Sequence, residues 1–173
     1  QLGSITCSSC RTPFSLVDNE ANESNADKPR QIGHFQLLEP LGTGGFGTVW
    51  RAKDTELDRT VAVKVPRRGQ LSLAEQELFF REARAAAQLH HPNIVAIHEV
   101  GRDGGEIFIV SDLVQGVTLS DWLKVKQPAS QEVASLCIKI AESLEHAHQA
   151  GIVHRDLKPS NILMDEAGEP HLL

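Results

Sequence analysis

The chain has 173 residues, 40% of them apolar, and a net charge of −6. That is enough apolar material for one domain with a core and a small appendage. It lacks the basic surplus of most nucleic-acid binders. No stretch approaches the roughly 18 apolar residues that span a bilayer, and nothing near the start resembles a secretory signal. The chain opens on Gln1 rather than Met, so the natural start is expected upstream.

Cys7 and Cys10 are close together, and Cys137 is alone. Three cysteines so placed are not a disulfide framework. They fit a reducing compartment, so a cytoplasmic location is expected. Residues 1–17 carry Cys7-Ser8-Ser9-Cys10 ahead of apolar Phe14, Leu16 and Val17. Residues 18–33 open with a polar run almost free of large apolar side chains and read as a flexible linker.

From residue 34 the texture changes. Phe35–Leu41 reads as a strand, followed by a glycine-rich turn, a second strand over 48–53 and a third over Val61–Val65. A helix is expected from Ser72 to Leu89, with Ser72 and Glu75 at capping-box spacing. Strands are expected over 94–100 and 106–113 around a Gly104-Gly105 turn. A short helix over 119–126 and a longer one over 130–150 follow. The longer helix puts Val133, Leu136, Ile140, Leu144 and Ala147 on one face, and Gly151 suits its C-terminal cap. Short strands are expected at 162–164 and 171–173. Strands dominate the first part and helices the second, which implies two lobes of different character and an α+β class.

Gly42, Gly44 and Gly47 satisfy G-x-G-x-x-G. A dinucleotide fold would continue into a helix. Here Thr48-Val49-Trp50 suits a strand, so the loop reads as a hairpin that could close over phosphates, or as a hairpin with no ligand. Lys64 shares a strand face with Ala62. It is either a solvated edge lysine or a cation aimed at phosphates beside room for a flat ring. Glu82 has Leu78, Phe79, Ala85 and Ala86 as its helical neighbours, so it is expected on a core-facing stripe with a partner, Lys64, the alternative being a carboxylate at the stripe's edge reaching water. His90, His91, His146 and His148 read as packing or surface residues.

His154-Arg155-Asp156-Leu157-Lys158-Pro159-Ser160-Asn161 places a carboxylate, a cation and an amide within six residues. With the glycine loop, Val61-Ala62-Val63-Lys64 and Glu82 in that order, residues 34–173 resemble the eukaryotic-type serine/threonine protein kinases. The resemblance implies a bilobal fold with a complete N-terminal β-rich lobe, a hinge and part of the helical lobe.

The resemblance also implies ATP and Mg²⁺ as cofactors and a protein bearing Ser or Thr as substrate. The loop Gly42, Thr43, Gly44, Gly45, Phe46 and Gly47 would cover the phosphates. Lys64 would hold them and pair with Glu82. Asp156 would orient the attacking hydroxyl, Lys158 would steady the transferred group and Asn161 would bind Mg²⁺. Backbone of Asp112 and Val114 would meet adenine, with Leu41, Val49, Ala62 and Leu163 around the ring and Ser111 as a small gatekeeper. Arg155 resembles the arginine that meets a phosphorylated activation loop. His154 is expected to pack against Ala86 and Ile97, not to act as a base.

The family carries Asp-Phe-Gly just beyond the strand that here ends at Leu173. The chain is therefore expected to be inactive alone, with the 130–150 helix short of packing partners. Its parent is expected to be an active kinase, a role compatible with a membrane anchor outside these residues; a nucleotide-binding pseudokinase or scaffold is the alternative. A small-molecule phosphotransferase is weakened by Lys158-Pro159. The Cys7–Cys10 stretch resembles half of a zinc ribbon, similar to planctomycete-like bacterial kinases, with unmetallated thiols as the alternative.

Overall fold

A computed structural model describes residues 5–6, 13–14, 30–44, 47–67 and 72–173. Near the start, β1 (Ile5–Thr6) pairs antiparallel with β2 (Pro13–Phe14). Cys7, Cys10, Gly45 and Phe46 lie outside the described residues.

Six strands form the first main sheet: β3 (Gln31–Ile32), β4 (Phe35–Gly44), β5 (Gly47–Asp54), β6 (Arg59–Val65), β7 (Ile97–Asp103) and β8 (Glu106–Ser111). Their order is β3-β4-β5-β6-β8-β7, all antiparallel. Alternate residues point to one face, and that face is the core: Ile32, Phe35, Leu37, Ala52, Val61, Val63, Val65, Phe108 and Val110 pack together. Phe35 meets Phe108 edge-on, with ring centres 5.8 Å apart.

The expected linker over 18–33 therefore ends too late. Ile32 is 2% exposed and belongs to the core, and Leu37 N–H donates to the Arg30 carbonyl. A two-residue strand beside Gly33 (φ 57°) gives almost no periodic signal in a sequence. The strand expected over 94–100 is shifted to 97–103, because residues 93–95 serve another partner: Leu172 N–H donates to Asn93 O and Val95 N–H to Leu172 O.

Helix α1 (Leu73–Ala86) starts on the expected capping box. Ser72 Oγ accepts from Glu75 N–H, and Glu75 Oε2 accepts from Ser72 N–H at 2.7 Å. It ends at Ala86, before the expected Leu89.

Past the sheet, residues 112–115 run as an irregular connector into β9 (Gly116–Thr118). Then come α2 (Leu119–Val125), α3 (Ser130–Gln149), β10 (Ile162–Asp165) and β11 (Pro170–Leu172). The small sheet has order β11-β10-β9. Strand β9 was not foreseen. It is there because Gly116 admits the Met164 carbonyl oxygen, which a methyl group would bring to 1.9 Å.

The face of α3 predicted to be buried does find cover. Leu136, Ile140 and Leu144 pack on Leu119, Ile162, Met164 and Leu172, and Ala147 is 6% exposed. The expected shortage of partners holds only in part: Leu119, β10 and β11 half-cover Leu136, Ile140 and Leu144, while Val133 of the same face stays exposed. Ile138 is exposed too. Gly151 follows α3 with φ 76°, the left-handed conformation expected of its cap.

Candidate active site

The glycine motif sits on the β4–β5 hairpin, with Gly42 opposite Val49, Thr43 opposite Thr48 and Gly44 opposite Gly47. The three glycines do different work. Gly47 adopts φ 138°, and a methyl group there would come within 2.2 Å of the Val65 carbonyl oxygen. A methyl group on Gly42 or Gly44 would meet nothing within 4 Å. Gly47 is demanded by backbone packing, whereas Gly42 and Gly44 leave bare main chain over open space.

Strand register assembles the next group. Val49 lies opposite Lys64, Lys64 opposite Ile109, and Ala62 opposite Ser111. The predicted ring-lining residues Val49 and Ala62 thus flank the lysine and the end of β8. Leu41 is half exposed on the hairpin. Leu163 comes from the small sheet, opposite Thr118, so the 112–115 connector joins the sheet bearing Ala62 to the sheet bearing Leu163.

Within that connector, Asp112 N–H donates to the Ala96 carbonyl at 3.0 Å, and its carboxylate meets His98 Nε2 at 2.7 Å. Ser111 Oγ lies 3.4 Å from the Asp112 carbonyl, a long contact. Val114 main chain has no backbone partner among the described residues. It is a free donor and acceptor at the join. His98 was not singled out from sequence, since one histidine in a strand carries no signal of its partner.

The catalytic-loop motif is an exposed polar network. Asp156 Oδ2 accepts from Lys158 Nζ at 2.8 Å and from Asn161 Nδ2 at 2.8 Å. Asn161 Nδ2 also donates to the Asp156 carbonyl at 2.9 Å. The 3₁₀ turn Pro159–Asn161 brings Asn161 back onto the aspartate. Hydrogen bonds from Lys158 and then Asn161 outweigh partial desolvation and hold the Asp156 carboxyl below its usual range. It is therefore ionised at neutral pH. His154 turns its Nδ1 to Asp156 N–H at 3.4 Å and keeps a buried, unpartnered Nε2. The residue as a whole is half-buried.

One expected pairing is absent. Glu82 Oε1 accepts from Arg155 Nη1 at 3.0 Å, and Lys64 has no ion pair among the described residues. Arg155 reaches Glu82 from a left-handed backbone, φ 62°. The expected core-facing stripe is also corrected: the Glu82 side chain is 54% exposed and Leu78 42%, while Ala83 is the buried residue of α1. The carboxylate therefore has water and an arginine, and no need of the lysine. Lys64 is exposed on the sheet, yet desolvation by its surroundings lowers its pKa. A neighbouring anion would relieve that penalty.

Of the histidines expected to be packing or surface residues, two pack together and two are exposed. His91 and His146 rings lie 5.4 Å apart, and His91 Nδ1 accepts from Asn93 N–H at 3.1 Å. His90 and His148 are exposed.

A glycine hairpin, a strand lysine and an Asp-Lys-Asn loop lie on either side of a two-sheet join, the arrangement that the resemblance to kinases implies for phosphoryl transfer. The Protein kinase domain family matches residues 35–173, and the chain belongs to that family. It is 40% identical over 141 residues to the serine/threonine-protein kinase PrkC of Bacillus subtilis (strain 168), covering 80% of this chain and 22% of that protein. It is 42% identical over 137 residues to the probable serine/threonine-protein kinase CPE1738 of Clostridium perfringens (strain 13 / Type A), covering 78% and 20%. A crystal structure of the PknI kinase domain of Mycobacterium tuberculosis superposes with a TM-score of 0.74 at 26% identity, covering 84% of this chain and 60% of that one. The chain thus spans about a fifth of the length of these two curated relatives. Among the described residues, no helix is long and apolar enough to cross a membrane.

Proposed function

We propose that this chain supplies the ATP grip and the catalytic loop of a serine/threonine protein kinase acting on protein hydroxyls. The observation that carries the reading is the Asp156–Lys158–Asn161 network, with its aspartate held ionised. An ionised carboxylate can accept the proton of an attacking Ser or Thr hydroxyl. Lys158 lies beside it as a cation to offset charge on the transferred phosphoryl group. Both relatives named above are named as serine/threonine kinases.

ATP fits what is bare. Gly42 and Gly44 leave room for phosphates beside the main chain, Lys64 has no anion among the described residues, and Val114 main chain has no backbone partner among them, which leaves it for an adenine edge. Leu41, Val49, Ala62 and Leu163 would enclose the ring. Mg²⁺ prefers oxygen donors. Asn161 turns its amide nitrogen to Asp156, which leaves the amide oxygen as donor. Bound there with phosphates, Mg²⁺ would neutralise charge on the transferring group.

This amide is the single Mg²⁺ donor assigned among the described residues, so the chain alone is expected to bind nucleotide without sustained turnover. Two measurements test the reading. A fluorescent ATP analogue should bind the chain and lose affinity in Lys64→Met. In the parent protein, Asp156→Asn should cut turnover by about 10²–10⁴-fold, as loss of a general base does. Phosphorylation that survives Asp156→Asn would sink the assignment.

A second reading, a nucleotide-binding scaffold, is favoured by one observation: Glu82 is held by Arg155 and not by Lys64. The cytoplasm, where ATP is abundant, is the proposed location. For Cys7 and Cys10, the C-x-x-C spacing supports half of a zinc knuckle. Zinc retained stoichiometrically against a chelator supports it, and zinc-free protein leaves two thiols.

A further inference from the structure

We propose that His98 is a positioning residue for adenine recognition: it fixes the Asp112 main chain so that the Asp112 carbonyl is kept for the exocyclic amino group of ATP. This role rests on the nucleotide reading above and adds to it a residue outside the glycine hairpin, the strand lysine and the 154–161 loop.

Strand register delivers the side chain. Ile97 lies opposite Ser111 and Glu99 opposite Val110, with a register shift between them. His98 has no opposite number on β8, so it is the extra residue of a β-bulge. A bulge bends its strand and re-aims the side chain it carries. Here the imidazole reaches Asp112, one residue beyond the end of β8 and the first of the 112–115 connector.

Asp112 is thereby held at two points. Its N–H donates to the Ala96 carbonyl at 3.0 Å, and its Oδ1 accepts from His98 Nε2 at 2.7 Å. A carboxylate only accepts, so Nε2 carries the hydrogen. The two anchors flank Ile97 and grip one edge of the residue. The main-chain group left over is the Asp112 carbonyl. It accepts no backbone N–H among the described residues, and Ser111 Oγ meets it only at 3.4 Å. An amino group on the edge of adenine is the donor it lacks. Without the His98 bond a single hydrogen bond would restrain Asp112, and ordering the connector would fall to the ligand, which costs affinity. The His98 and Asp112 side chains are 25% and 56% exposed. Water therefore competes for the contact, and its loss should cost a few-fold in affinity rather than orders of magnitude.

The test compares two nucleotides on the 173-residue chain, ATP and purine riboside triphosphate, which lacks the amino group. Affinity is read by displacement of a ribose-labelled fluorescent ATP analogue. H98A should weaken ATP about three- to tenfold, the size of one hydrogen bond, and purine riboside triphosphate less than about twofold. H98Q places an amide N–H where Nε2–H stood and should recover most of the loss. D112A should lose ATP as H98A does. The double variant H98A/D112A should lose no more than either alone, since both break one contact.

ATP affinity unchanged or raised in H98A would overturn the proposal. So would equal losses for the two nucleotides, the mark of a merely structural residue, or no recovery in H98Q. If the unsubstituted chain binds no ATP, the nucleotide reading fails and the role of His98 with it. If it binds ATP and H98A binds equally well, only the role of His98 falls. Should H98A lose its fold by circular dichroism, D112A on the two nucleotides decides.

Discussion

The catalytic loop and the lysine strand place their polar groups under opposite conditions. Asp156, Lys158 and Asn161 are mutually bonded within six residues. Lys64 and Glu82 sit on a strand and a helix and do not meet. The difference is one of range. A turn of fixed shape closes the first set with little help from elsewhere. The second needs α1 to be seated against the sheet, and among the described side chains of α1 only Ala83 is buried. An exposed carboxylate on a lightly seated helix takes the nearest cation, and Arg155 is that cation. Exchanging Arg155 for Lys64 would cost little in ion-pair energy, since exposed ion pairs are worth about 0–1 kcal/mol.

Breaking the frame that both regions rest on has the largest expected effect. Phe35 is 1% exposed in the centre of the sheet core. Phe35→Ala should destabilise the fold by about 3–5 kcal/mol in urea unfolding, the range for deleting a buried aromatic. Unchanged stability would mean that the six-stranded sheet does not limit folding.

A smaller change addresses α1 alone. Ser72→Ala removes the cap that accepts from Glu75 N–H and should lower stability by about 1 kcal/mol. If seating of α1 governs which cation Glu82 meets, hydrogen exchange should speed up in α1 and not around residues 156–161.

Arg155→Ala sharpens the comparison directly. Both side chains of the Arg155–Glu82 pair are more than half exposed, so stability should change by no more than about 1 kcal/mol. Nucleotide affinity should rise, because Glu82 becomes free to brace Lys64. Reduced affinity, measured with the same fluorescent analogue, would show that the exchange idea is wrong.

The mildest test is pH. Asp54 is buried, which raises its pKa, but hydrogen bonds from Leu57 N–H, Arg59 Nε and Glu56 N–H outweigh burial and hold it below its usual value. Its folded pKa is thus below its unfolded one. The stability it lends is present above the unfolded pKa and is lost as pH falls through the lowered folded pKa. Thermal midpoints should fall across that acidic window, and Asp54→Asn should flatten this part of the curve. An identical acid limb in the variant would assign the loss to other carboxylates, such as Asp165, which His171 and Glu169 N–H hold down in the same direction.

Much of the molecule was legible in order along the chain. The strand–glycine–strand hairpin, the capping box at Ser72, the row on α3 and the 154–161 network all rest on spacing within a few residues. Such features follow from backbone geometry that neighbours impose on one another. Other features were decided at long range. Ile32 is core because β3 folds back on β4. Strand β9 exists because Gly116 lets Met164 approach. The α1 stripe looked buried, but an apolar row records which residues share a face, not whether anything covers it.

The amino-acid sequence by itself determined the kinase-type motifs, their order and the local shapes that carry them, because each depends on contacts a few residues apart. Only the tertiary structure decided that Glu82 meets Arg155 and not Lys64. That choice depends on where a helix comes to rest against a sheet, which is settled by packing between segments distant in sequence.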